Sequence, residues 1–195
     1  MNRTDAKAAV APRQRLRLLD ATRRILSRSD GFAAVEFAMI LPFMLLLYLG
    51  SFEISEAIAV KRQVALTAST VANIVTQYAS VSQTNDMPDI LDASSTVLTP
   101  YPAAKAVVTV SLVTVDANGN ATVTWSQCLN GTARQAGQAV TLPAGLNVPN
   151  SSVVMGETSY AYTPIMDFLH MGTLNLYSSV FMSPRSSSGT INLTP

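Results

Sequence analysis

Few residues in this chain could do chemistry, and their spacing narrows what that chemistry is. Glu36 is the only side chain expected to be ionised between Phe32 and Phe52, and the stretch from Phe37 onward, FAMILPFMLLLYLGSF, carries no charge. A carboxylate in such a run costs about 2.5–3.5 kcal/mol at mid-bilayer and is normally held by a partner. Its chemistry is therefore ion pairing that sets a register, with desolvation offsetting much of the attraction. The bland alternative is that Glu36 snorkels to the interface. Pro42, inside the same run, removes a backbone hydrogen bond and crowds the carbonyl of Ala38, so a bend or loosened turn is expected there.

The remaining reactive residues do not converge. His170 is the only histidine, with Asp167 three positions earlier, and reads as a turn residue. Cys128 is the only cysteine, which leaves burial, a free thiol or pairing with another chain. Asp116-Ala117-Asn118-Gly119-Asn120 begins like a calcium loop. Ala121 and Gln127, however, stand where such a loop requires Gly and Glu, and the Asn-Gly centre is a hairpin signal. Trp125, Tyr160 and Tyr162 read as core or sheet-face residues. No catalytic constellation, metal cluster or cofactor site emerges, and an enzyme is not expected.

Composition says where Glu36 must sit. Of 195 residues 48% are apolar and only 13% charged, about half the usual share. Residues 1–30 hold eight basic and three acidic side chains, leaving five basic and nine acidic for the rest, so a net +5 stands in front of a net −4. An acidic remainder and a basic run without aromatics exclude nucleic acid as a partner.

The run from Phe32 to Phe52 would be roughly 31 Å long as a helix, enough to cross the lipid bilayer. Six arginines between Arg13 and Arg28 precede it and only Lys61 and Arg62 follow closely, which places the N-terminus in the cytoplasm and exports the rest. A plain signal anchor is one reading. A secretory signal cut after Ala57-Ile58-Ala59 is another, opposed by the long leader, the long apolar core and the intervening Glu53 and Glu56.

A third reading starts from Gly31, five positions before Glu36. The pattern Gly31-Phe32-Ala33-Ala34-Val35-Glu36-Phe37 resembles the class III signal of type IV pilin-like proteins, cut by a prepilin peptidase between Gly31 and Phe32. The longer segment GFAAVEFAMILPFMLLLYLGSFEISEA, with Glu36, Phe37 and Pro42, resembles the opening of TadE-like proteins, the minor pilin or pseudopilin family of tight-adherence (Flp) pilus systems. A weaker likeness lies in SYAYTPIMDFL, Gly172 and the ending FMSPR, which resemble that family's sheet-forming tail. The resemblance implies cleavage to a mature chain beginning at Phe32 and pairing of Glu36 with the Phe32 α-amine of an axially shifted neighbour. It also implies a single-pass protein of the bacterial inner membrane with a periplasmic domain. The implied partners are prepilin peptidase, the inner-membrane pilus assembly platform, other minor pilins and the major pilin.

Beyond the membrane the helical period continues. Val60, Val64, Thr67, Val71, Ile74, Tyr78 and Val81 alternate in spacings of four and three, and no Gly or Pro interrupts 53–86, so a packing stripe on one helix to about residue 81 is expected. Asn85 or Asp86 is the expected cap of a short helix near Pro88. The period then changes to two, giving strands over 105–115 and 121–125 joined by the Asn-Gly turn, and later over 152–163 and 173–183. Residues 128–150, with Gly131, Gly137, Gly145, Pro143 and Pro149, form a long loop, and 164–171 a turn or short helix.

The expected fold class is α+β, a long N-terminal membrane-spanning helix packed at its outer half on a small, mostly antiparallel sheet. The expected divisions are a basic leader (1–31), a transmembrane helix (32–58), an amphipathic extension (59–84), an exported α+β domain (85–183) and a flexible tail (184–195).

Overall fold

The structure, a computed structural model, describes residues 30–164, 166 and 172–195. The basic leader through residue 29 and the Asp167–His170 pair lie outside the described residues. Two compact units divide at Leu49 and Gly50.

In the first unit the described residues belong to helix α1, Asp30–Val75, which runs without interruption through Pro42. Every side chain from Gly31 to Tyr48 is exposed, including Phe32, Met39, Phe43 and Leu47 at about 70% each. None of the described residues covers this apolar surface, and its length and composition suffice to cross a membrane.

The second unit is built around the rest of α1. Val60, Val64, Thr67, Ala68, Val71, Ala72 and Val75 are fully buried, a stripe of small residues at helical spacing that lets the backbone approach a sheet closely. That sheet has the order β3-β2-β4-β5, all neighbours antiparallel: β2 Ala106–Val115, β3 Ala121–Leu129, β4 Ser152–Tyr162 and β5 Leu174–Met182. The closest approach is at Gly156 in β4. A Cβ there would collide with the carbonyl oxygen of Ala68 and lie 3.0 Å from Cβ of Ala72. Val108, Val110, Leu112, Trp125, Val154 and Tyr160 complete the core on this face, and Tyr160 packs edge-on against Tyr101 with ring centroids 6.4 Å apart.

Strand β2 is buried on both faces because its alternate residues Val113 and Val115 form a second apolar cluster with Ala121 and Met155, covered by Val140 and Leu142. The segment 130–151, most of which falls in the loop expected over 128–150, thus roofs the outer face. The β2–β3 turn is closed by Asp116, whose Oδ1 accepts hydrogen bonds from the Asn118 and Asn120 amides and whose Oδ2 accepts from Asn120 Nδ2, all at 2.8 Å. Gly119 takes a φ of +83°, which its missing Cβ permits. Helix α2, Asp86–Ser95, lies where a short helix was expected. Asn85 makes no capping bond with its side chain; instead Asp86 Oδ2 accepts from the amide of Ser82.

Three expectations are corrected. Helix α1 ends at Val75 and not near residue 81, so Tyr78 stands beyond it, exposed, and is not part of the packing stripe. Tightened bonds from Gln77 N to Ile74 O and Tyr78 N to Val75 O end the helix. The chain then enters β1, Ser80–Ser82, where Val81 is buried. Residues 184–195 are no solvated tail. They fold back so that β6, Asn192–Thr194, pairs in parallel with β1, Ile191 is buried, and the Trp125 indole N–H donates to the Ile191 carbonyl at 2.9 Å. The apolar alternation of Ile191 and Leu193 and the unpaired edge of β1 account for this docking. Cys128 lies on β3 rather than in the loop, half-buried, its Sγ accepting from Thr109 Oγ1 at 3.2 Å.

Candidate functional site

The sequence-predicted site residues cluster at the start of α1. Gly31 opens the helix with open space around its Cα, so a peptidase could approach the Gly31–Phe32 bond there without displacing other described residues. Phe32, Glu36 and Phe37 follow within two turns, all exposed. Glu36 lies one helical turn above Phe32, an axial rise of about 6 Å. Leu41, Phe43, Met44, Leu45, Leu46 and Leu47 surround the helix on every side beyond it. A helix apolar all round belongs in lipid or among other helices. Pro42 lies in this exposed stretch, six residues after Glu36, and leaves the Ala38 carbonyl without its usual amide donor.

Val60, Val64 and Val71 lie buried against the sheet, and Ile74 packs partly covered on the same core. The structure brings them together with one another; Glu36 belongs to the other unit.

A second polar constellation was not anticipated. On the outer face of the sheet Arg134 grips Glu157 with both arms of its guanidinium, Nε to Oε2 at 2.7 Å and Nη2 to Oε1 at 2.8 Å, and the Tyr177 hydroxyl donates to Oε1 at 2.5 Å. The amide of Arg134 also donates to Ser126 Oγ, itself bonded by Ser111 Oγ. Burial, the largest influence, pushes the Glu157 carboxyl up. The bonds from Arg134 and Tyr177, with the guanidinium charge, outweigh it and hold the group below the usual carboxylate value. The Tyr177 hydroxyl is pushed up by burial and by donating to Glu157.

A fork-on-carboxylate pair of this kind fixes geometry. Here it fastens the 130–151 segment to the sheet beside a groove of about 290 Å³ lined by Thr109, Thr132, Ser159 and Asn175. Among the described residues no three His, Cys, Asp or Glu side chains cluster as metal ligands. The signal for this pair was present in the sequence. Arg134 is the one cation of its loop, and Glu157 is the one charge in an otherwise uncharged strand.

In the sequence Glu53 and Glu56 counted only as charges opposing a secretory cleavage. Glu53 is 4% exposed in the second unit, and with Glu56 it adds to the burial that raises the Tyr162 hydroxyl. Trp125, Tyr160 and Tyr162 are core residues, as expected.

Comparison with curated proteins and with solved structures gives no match. The family model described as TadE-like protein matches residues 31–73, opening at Gly31 and taking in Glu36, Phe37, Pro42 and the buried stripe through Val71. Over that segment, which contains nearly all of the long helix and about a fifth of the chain, the protein is similar to TadE-like proteins.

Proposed function

We propose that this chain is a minor pilin or pseudopilin of a tight-adherence pilus, released from its basic leader by a prepilin peptidase at the Gly31–Phe32 bond. The observation that carries this reading is a lone carboxylate, Glu36, five positions after Gly31 on the exposed apolar part of α1, within the segment that the TadE-like family model matches. The helix waits in the inner membrane as a single pass with the second unit on the periplasmic side. Its move into a bundle of sister helices gains packing contacts and little hydrophobic free energy, since lipid is as apolar as leucine. Orientation must then come from polar pairs. Glu36 supplies one, meeting the α-amine of Phe32 on an axially displaced neighbour where low dielectric strengthens the pair.

The partners on this reading are the peptidase, the assembly platform, the other minor pilins and the major pilin, and the protein's role is non-catalytic. The polar groove beside Arg134 and Glu157 favours a second reading, an uncleaved anchor carrying an extracytoplasmic adhesin-like or scaffold module. Intact mass of the membrane-purified protein, from cells with and without the peptidase, separates them. A chain starting at Phe32, seen only when the peptidase is present, supports the first; a chain starting at Met1 in assembling cells overturns it.

A further inference from the structure

The groove on the outer face of the sheet is polar without being charged. Its floor is three strands in register: Val107 on β2 stands opposite Ser159 on β4, which stands opposite Tyr177 on β5. Thr132 and Arg134 line it from the 130–151 segment, and Asn175 lines it from β5.

Four features limit what could sit there. The charged side chains of the lining, Arg134 and Glu157, neutralise each other at 2.7 and 2.8 Å, so neither an anion nor a cation finds an unpaired counter-charge. The side chains of Thr132, Ser159 and Asn175 have no hydrogen-bond partner among the described residues, which leaves two hydroxyls and a carboxamide to donate and accept. The main chain of the floor is taken up in the β2–β4–β5 ladders, so an extended peptide would bring amides that the groove cannot match. Tyr177 is half exposed, and its ring is held in place because its hydroxyl donates to Glu157.

We propose that this groove binds an uncharged saccharide chain, with one pyranose ring laid against Tyr177 and its hydroxyls bonded to Thr132, Ser159 and Asn175. The C–H face of such a ring meets the electron-rich face of an aromatic, and its hydroxyls both donate and accept, as the lining does. At about 290 Å³ the groove lies at the small end of ligand sites, about 300–1,000 Å³, and suits one or two rings of a longer chain. The proposal rests on the second unit being exported, as in both readings above, and not on how the leader is processed.

The test uses the full-length protein, purified from cells that make the whole pilus system and held in phospholipid nanodiscs without glycoside detergent. It is titrated with cellotetraose, mannotetraose and chitotetraose, and with tetragalacturonate as a charged chain of the same length. At least one uncharged chain should bind with a Kd below about 1 mM and about tenfold more tightly than tetragalacturonate. Binding of chitotetraose alone assigns the site to N-acetylated backbones of the cell-wall type; binding of either other chain assigns it to a surface glycan. Tyr177→Ala should weaken binding about tenfold, while Tyr177→Phe, which keeps the ring, should stay within about threefold of the native chain. Failure of all three uncharged chains in that range, equal binding of tetragalacturonate, or indifference to Tyr177→Ala overturns the proposal. If Tyr177→Ala lowers the amount of folded protein, the tightest chain carrying a diazirine decides on the unaltered protein. Adducts at Asn175 or Tyr177 uphold the site, and adducts elsewhere overturn it. Intact mass of the same preparation reports the leader separately, so a Met1 start overturns the proposed pilin role and leaves the saccharide result as it stands.

Discussion

The two parts of α1 are continuous in backbone and opposite in what they do with apolar residues. Up to Leu49 the helix carries Phe, Met and Leu, large side chains left open on every side. From Val60 to Val75 it carries Val, Ala and Thr, and the inward row is fully buried under a sheet. Large residues that no described part of the chain covers fit the proposed surroundings of lipid or other helices. Small buried ones mean that the second part is committed to its own domain, and a change there should read out as stability and not as assembly.

Glu36→Ala should produce the largest effect and only on the first part. Piliation should fall about a hundredfold if the pair sets register, while thermal melting of the second unit stays unchanged, measured by pilus yield and circular dichroism. Normal piliation by this variant would remove the docking role. Gly156→Ala attacks the second part where it meets the sheet. The added methyl must displace the Ala68 carbonyl, and a loss of about 2–3 kcal/mol in denaturant unfolding is expected, with export and leader cleavage retained.

Arg134→Ala should cost about 2 kcal/mol, because it strands a buried carboxylate. This contribution also has a pH signature. Glu157 titrates lower folded than unfolded, so its stabilisation is present above the ordinary glutamate range and is lost as pH falls through its folded pKa. The wild type should therefore lose more stability on acidification below about pH 4.5 than Arg134→Ala does, in paired melts across that range.

Thr158→Val has the opposite sign. The Thr158 hydroxyl is fully buried and has no hydrogen-bond partner among the described residues, and a methyl of the same shape should stabilise by about 1 kcal/mol. Leu47→Ala, at 70% exposure in the first part, should shift the melting of the second unit by less than about 0.5 kcal/mol in detergent. A larger shift would mean that the two parts of the helix are not energetically separate.

Much of this division could be read directly from residue types. The apolar run, the stripe at Val60, Val64 and Val71, the period change before β2 and the Asn-Gly turn are local patterns, and local patterns survive folding. What stayed hidden depends on residues far apart in the chain. Nothing near Ile191 announces that its carbonyl serves the Trp125 indole, and Arg134 shows its use only once Glu157 lies beneath it. The overlong helix had the same origin. Tyr78 and Val81 keep the helical spacing, but the edge of β6 competes for that backbone and wins, so a short parallel ladder replaces the last turn and a half. At the start of α1 the reverse holds. Gly31, Phe32 and Glu36 stand out in sequence because the role proposed for them does not depend on the rest of the chain folding around them.

The pairing of Ser80–Ser82 with Asn192–Thr194 ties together two points more than a hundred positions apart. Closing so long a span is entropically slow to grow in cost, at about (3/2)RT ln n, but it makes everything enclosed depend on one connection. A single protease nick in the exposed 144–150 stretch would turn that closure into a meeting of two separate pieces. The domain should then come apart in one cooperative step, in a concentration-dependent way, and not fray gradually from one end.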